Sequence, residues 1–330
     1  MWFERLTGFP ERGSADVVAR IREDGPYLIS TSNGRRMRRG EFALVALAEL
    51  REQRDRTGHH GSTTVREVVA DVRELHTEPA AAGATFQVAS QFNMLEMVGP
   101  HVTPEAGIDR YELDRTQGPA CATACGAGTL HRNYLVPIGT GGDTVRGQTA
   151  DRQLDGFADL ATALGLDVEM RNGYAFLTPE QLTHAGRRLA DLTGPERDDL
   201  AGSLKVGVQA ETEVTWRDVG HSVTQVFCSA LPMSYGGGEQ ALWEPLARLV
   251  LDAAYEATFA AAVGAAARSG NRTLYLTLLG AGVFGNPADW VVDALRRALR
   301  LHATAGLDVR VVSYGQPHPG LRNLADAAPS

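Results

Sequence analysis

Two rhythms of apolar and polar positions run along this chain. Short runs rich in β-branched and apolar residues occupy residues 65–72, 84–89, 206–214, 223–231, 273–279 and 308–313, and predict strands. Longer stretches with helical spacing lie at 239–268 and 288–302. The C-terminal succession of strand, glycine loop, helix and strand predicts a crossover unit, hence an α/β sheet covered by helices. Residues 1–62 read as an N-terminal extension. It holds a helix near 15–23, a strand at 27–31 closed by the Asn33-Gly34 turn, a helix at 41–54, and a polar loop at 55–62 that contains His59 and His60. Pro119 opens a small-residue helix that runs into Gly126–Gly128. The glycine-rich segment at 139–142 is followed by a helix at 151–164, a hairpin at 168–177 around Asn172-Gly173, and a helix at 179–192. That block, about 139–204, reads as a mainly helical insertion into a domain spanning 63–330.

Composition narrows the class. The chain has 330 residues, 43% hydrophobic and 22% charged, which excludes disordered, collagenous and coiled-coil classes. A net charge of −8 argues against nucleic acid as a partner held by the overall field. Positive charge is almost all arginine, with Lys205 the single lysine. Cys121, Cys125 and Cys228 make no disulfide framework, so a reducing cytoplasm is the expected compartment. The N-terminus lacks a basic region followed by an apolar run, so no secretory signal is expected. The most apolar stretch, 243–267, carries Glu244, Arg248, Asp252 and Glu256, which predict an amphipathic helix rather than a membrane span.

Candidate chemistry lies where strands end. The run Gly280-Ala281-Gly282-Val283-Phe284-Gly285 follows a strand and precedes a helix, so its amides suit an anion such as a phosphate. A second strand end delivers Ser90, Gln91 and Asn93 to the edge where open α/β sheets bind ligands. Cys121 and Cys125 lie four apart on a helix and read as small-residue packing. His131-Arg132-Asn133-Tyr134 is a polar cluster in which Arg132 suits a phosphate, a carboxylate or a surface ion pair. The segment 235–239 reads as a lid or a flexible connection. The nine histidines are scattered, and no metal site or cofactor is implied.

In order along the chain, these features resemble the macrodomain, the ADP-ribose-binding family. Val65–Val72, with Asp71, is similar to the family's first strand and its Gly-Asp-Ile motif. Val88-Ala-Ser-Gln-Phe-Asn93 resembles its Val-Asn-Ala-Ala-Asn strand end, Gly280–Gly285 its phosphate loop, and Val309–Tyr314 its final strand. The resemblance implies a three-layer α/β/α mixed sheet and an ADP-ribose-like small molecule or ADP-ribosylated substrate as partner. It gives Asp71 the adenine amino group, Val72 a backbone amide, Tyr314 the adenine face, Gly280 to Gly285 the diphosphate, and Asn93 the distal ribose. Ser90 joins the ligand-binding set. The chain departs from the family in three places. The loop 94–100 lacks consecutive glycines, 77–84 is extra, and Thr116-Gln117-Gly118-Pro119 stands where the glycohydrolase branch has paired glutamates.

Glycosidic hydrolysis needs a carboxyl group near the anomeric carbon or the attacking water. The segment between the strand end and Pro119 offers Glu96 and Asp114 for that work, with Asn93 and Gln117 to orient a hydroxyl or water. The expected activity is hydrolysis of a glycosidic bond to the distal ribose of an ADP-ribosyl compound. The alternatives are a non-catalytic reader of ADP-ribose or NAD, and a biosynthetic enzyme that processes an NAD-derived intermediate.

Overall fold

The computed structural model describes residues 1–57, 61–139 and 143–322. His59, His60 and residues 140–142 of the glycine-rich segment lie outside the described residues. Seven strands form the main sheet: β1 (Glu41–Ala46), β2 (Thr64–Val69), β3 (Thr85–Ala89), β4 (Lys205–Glu213), β5 (Ser222–Cys228), β6 (Thr273–Leu276) and β7 (Asp308–Ser313). Their order across the sheet is β1-β4-β5-β3-β6-β7-β2. The five strands from β5 to β2 run parallel, while β4 lies antiparallel to both β1 and β5.

Alternation along the strands builds two apolar layers, one on each face. In β6, Leu274 and Leu276 face the layer of helices Gln240–Ser269 and Ala288–Leu301, and Tyr275 faces the other. There Phe86 stacks between Tyr275 and His76, with ring centroids 4.4 and 3.7 Å away. Helices Val72–Thr77 and Gln117–Ala124 close that second face. The fold is thus a three-layer α/β/α arrangement on a mixed sheet, as the sequence led us to expect. A third apolar cluster joins Trp2, Phe3, Leu6 and Met37 to Leu130 and Tyr134, fixing the N-terminal residues on the outer surface of helix Gly126–Tyr134.

Several local expectations are corrected. Residues 41–54 form no continuous helix. Leu44, Leu47 and Leu50 have helical spacing, but Glu41–Ala46 pairs with β4, from Lys205 opposite Ala46 to Ala210 opposite Glu41. That pairing covers the open edge of β4, and the helix begins only at Leu47. The main sheet therefore takes one strand from the segment preceding residue 63. Val72 is not the end of β2. It is the first residue of a helix that Asp71 caps by accepting a 2.8 Å hydrogen bond from the Arg73 amide. The helix opened near Pro119 breaks at Cys125, where the Gly126 amide turns to Thr215 Oγ1. Residues 151–157 are not helical, and Asp155 accepts from the amides of Phe157 and Ala158 at the entry to a helix that starts at Ala158.

The stretch 243–267 belongs to the 30-residue helix Gln240–Ser269, long and apolar enough to cross a membrane by length and composition alone. It runs beneath the sheet, and its middle is enclosed on nearly every side, more fully than an amphipathic helix would be. Glu256 is buried on it between Arg51 and Arg297, at 2.6 and 2.7 Å. Burial alone would raise this carboxyl, but the two guanidiniums hold it below its ordinary value.

Candidate functional site

The parallel strands β2, β7, β6 and β3 end on one edge of the sheet, and a groove runs across their carboxyl ends. It consists of two adjoining cavities of about 450 and 380 Å³ that share Gln117, Thr277 and Leu278. The first is lined by Asp71 and Val72 after β2 and by Tyr314 and residues 316–319 after β7. Arg73 and Arg115 add positive charge there. Tyr314 is 69% exposed, an aromatic face with no packing task that would account for it. One oxygen of Asp71 caps its helix, which leaves the other for the cavity.

The second cavity lies between the loop after β3 and the glycine loop after β6. Gly280 has φ of +78°, and a Cβ there would collide with Ala230 and press on Asn286, so only glycine fits. Asn286 ties the loop down, donating to the carbonyls of Leu231 (2.9 Å) and Gly280 (3.3 Å). Gly280, Gly282, Val283 and Phe284 line the cavity. Ala281 and Gly285 do not, and their amides are spent inside the loop, on the carbonyls of Leu278 and Gly282.

The other wall carries the carboxyl groups. Met94 turns the chain with φ of +63°, and the side chain of Glu96 then points inward, 3% exposed. Its Oε1 lies 3.4 Å from Nη2 of Arg132, itself fully buried, while Oε2 has no hydrogen-bond partner. Arg132 also donates from Nε to the Met94 carbonyl (3.1 Å), and its guanidinium lies 3.6 Å over the Phe227 ring. Arg132 therefore meets a buried carboxyl group of its own chain, not a surface partner or a ligand phosphate. Asp114 is only partly buried. Its Oδ1 accepts from the amide and hydroxyl of Thr116, at 2.8 and 2.7 Å, and Oδ2 is left for the groove.

Burial pushes the Glu96 carboxyl up to about 8, against which Arg132 acts too weakly. At neutral pH the group is a protonated acid inside the groove. In the unfolded chain it ionises near its ordinary value of 4.5. Between those values the unfolded state has lost a proton that the folded state keeps, so stability falls as pH rises through that window and levels off above about 8. Glu96→Gln cannot ionise and should gain stability over the parent between about pH 5 and pH 8. Urea midpoints at the two values measure this, and a mutant-to-parent difference that does not change with pH would contradict it.

The structure brings most of the expected residues to the groove: Asp71, Val72, Tyr314, Ser90, Glu96, Asp114, Gln117, Gly280, Gly282, Val283 and Phe284. Ser90 Oγ is engaged by the Gln91 and Cys228 carbonyls. Gln117 lines both cavities, but its amide accepts from the Ala89 amide (2.8 Å) and donates to the Gln87 carbonyl (2.7 Å). It anchors β3 rather than orienting a ligand. Asn93 is fully buried and lines neither cavity; it donates to Gln153 and accepts from the Leu95 amide beneath the 169–176 hairpin. Cys121 and Cys125 are buried among small residues, and burial raises both thiols. Sequence reasoning missed Arg73, Arg115, Thr277 and Tyr174. Arg115 was legible as the neighbour of Asp114. Tyr174, just after the Asn172-Gly173 turn, carried only a hairpin signal.

No family model matches the chain, and none of the curated proteins matches it. Solved structures of similar shape are poly(ADP-ribose) glycohydrolases. That of Thermomonospora curvata, bound to the inhibitor ADP-HPD, is 15% identical over 95% of this chain and 96% of that one, with a TM-score of 0.45. That of Deinococcus radiodurans, in complex with ADP-ribose, is 14% identical over 86% of this chain and 95% of that one, with a TM-score of 0.43.

Proposed function

We propose that the chain binds an ADP-ribose-like ligand along the groove and hydrolyses a glycosidic bond to its distal ribose. The observation that carries this reading is the joining of the two cavities. A carboxylate and an exposed aromatic face stand at one end, glycine-loop backbone lies in the middle, and two carboxyl groups stand at the other. Asp71 suits an exocyclic amine and Tyr314 a base face. The amides of Gly282, Val283 and Phe284, with Arg73 and Arg115, suit a diphosphate. At the far end Asp114 takes a proton from the attacking water, and Glu96, held protonated, gives one to the leaving atom.

Calorimetry with ADP-ribose, NAD and AMP tests the binding half. Asp71→Ala should weaken all three by about 1–2 kcal/mol, through one lost charged hydrogen bond. Absence of heat from the parent with every one of them at millimolar concentration would remove this reading. Mass spectrometry for ADP-ribose released from ADP-ribosyl substrates tests the chemical half. A second reading, a non-catalytic reader, draws on the amides of Asn93 and Gln117, which are spent on the protein and leave no side-chain amide to orient a ribose hydroxyl. Binding without turnover of any such substrate would favour it.

A further inference from the structure

The far wall of the second cavity has a chemistry of its own. Phe284 of the glycine loop, half-buried, presents its ring there, backed by the buried Tyr174 of the 169–176 hairpin and by Tyr235, with centroids 5.4 and 6.2 Å away. Val98 and Val283 stand at its mouth, 70% and 57% exposed. With Tyr314 they make three large, exposed apolar or aromatic side chains along one groove, a clustering that marks a binding surface rather than scattered exposure. Among the described residues no arginine, lysine or histidine lines this cavity. Its acidic groups are Glu96, with an unpartnered Oε2, and Asp114.

We propose that this wall selects the leaving group, a planar heteroaromatic base joined to the distal ribose through nitrogen, as in NAD, and disfavours anionic leaving groups. This rests on the ADP-ribose reading of the groove. A carboxylate or phosphate on the distal ribose would meet the charge of Asp114, with no cationic side chain lining the cavity to offset it. A flat base, neutral or cationic, would meet aromatic and apolar surface, with a negative charge close by. In the corresponding step, water adds to the anomeric carbon and the carbon–nitrogen bond breaks. The bond's electron pair goes to the ring nitrogen, and the water's proton goes to Asp114. A pyridinium base leaves neutral without needing a proton, so the Glu96 proton is free to hydrogen-bond to the substrate.

The test is the ratio of two affinities, measured by calorimetry with ADP-ribose and with a non-hydrolysable carbocyclic NAD analogue. The parent should bind the analogue about tenfold more tightly than ADP-ribose, the worth of one base on an aromatic wall. Phe284→Leu should bring the ratio close to one, and Phe284→Tyr, which keeps the ring, should preserve it. Val98→Asp alters an exposed side chain and so tests the wall without the folding risk of a change at Phe284; it should disfavour a 1″-phosphorylated ADP-ribose still further while sparing the analogue. A parent ratio of one or below, a ratio unchanged in Phe284→Leu, or an affinity for 1″-phosphorylated ADP-ribose unchanged in Val98→Asp would overturn the proposal while leaving ADP-ribose binding intact. Failure of the parent to bind either ligand would instead remove the reading on which it rests.

Discussion

Asp114→Asn should hold ADP-ribose as tightly as the parent and turn over its substrate about 100- to 10,000-fold more slowly, the contribution of one positioned general base. The substitution keeps Oδ1, which accepts from the Thr116 amide and hydroxyl, so the entry to helix Gln117–Ala124 keeps its geometry. What is lost is the charge on the atom facing the groove. Glu96→Gln is the companion variant, and for a leaving group that needs a proton it should slow turnover on the same scale. The two differ in pH dependence. The Glu96 proton is present below about 8, so activity that uses it should decline as pH rises through that value, and the Gln variant should lose that limb. Parent rates in both variants would sink the catalytic assignment while leaving the fold untouched.

Arg132→Ala should destabilise the protein by about 3–5 kcal/mol, read from urea unfolding. The guanidinium is fully buried, and three separate tasks end with it. It donates to the Met94 carbonyl and to Thr129 Oγ1, lies over Phe227, and faces Glu96. Losing its charge is not the main cost, because Glu96 is already protonated at neutral pH and needs little compensation. The cost lies in the cavity and in the Met94 carbonyl left buried without a donor. Arg132→Met, which keeps most of the volume, should therefore lose clearly less than Arg132→Ala. Equal losses in the two variants would mean that volume does not matter here, and a loss under about 1 kcal/mol in Arg132→Ala would contradict the assignment altogether.

The strands were readable because β-branched runs bounded by glycine and polar residues leave little else to form, and six of the seven strand positions lie where the pattern put them. The loop after β6 was readable for the same reason: three glycines at a strand end have few packing uses. Residues 41–54 misled because Leu44, Leu47 and Leu50 have helical spacing, and only the distant partner β4 decides that the first six residues extend. Asn93 misled for a related reason. Its place at a strand end says nothing about the 169–176 hairpin, whose Gly173 carbonyl accepts from the Phe92 amide and whose backbone covers the Asn93 side chain. The protonation of Glu96 was illegible, since it depends on Arg132 and on burial by elements scattered along the chain. Tyr174 was hidden in the same way, as one ordinary hairpin residue carried to the groove by its surroundings.

The place of β2 in the sheet has a consequence for how the protein is made. β2 is an edge strand whose one partner in the sheet is β7, the last strand among the described residues. A chain emerging from the ribosome therefore carries residues 64–69 unpaired until residues 308–313 have been synthesised. Throughout that interval Asp71 has no fixed position against Tyr314, and a strip of unsatisfied backbone stays open to mispairing. The end of the groove that holds Asp71 and Tyr314 is thus completed only once residues 308–314 have been made, and a nascent chain stalled before residue 308 should expose β2 to proteases and chaperones that the folded protein never meets.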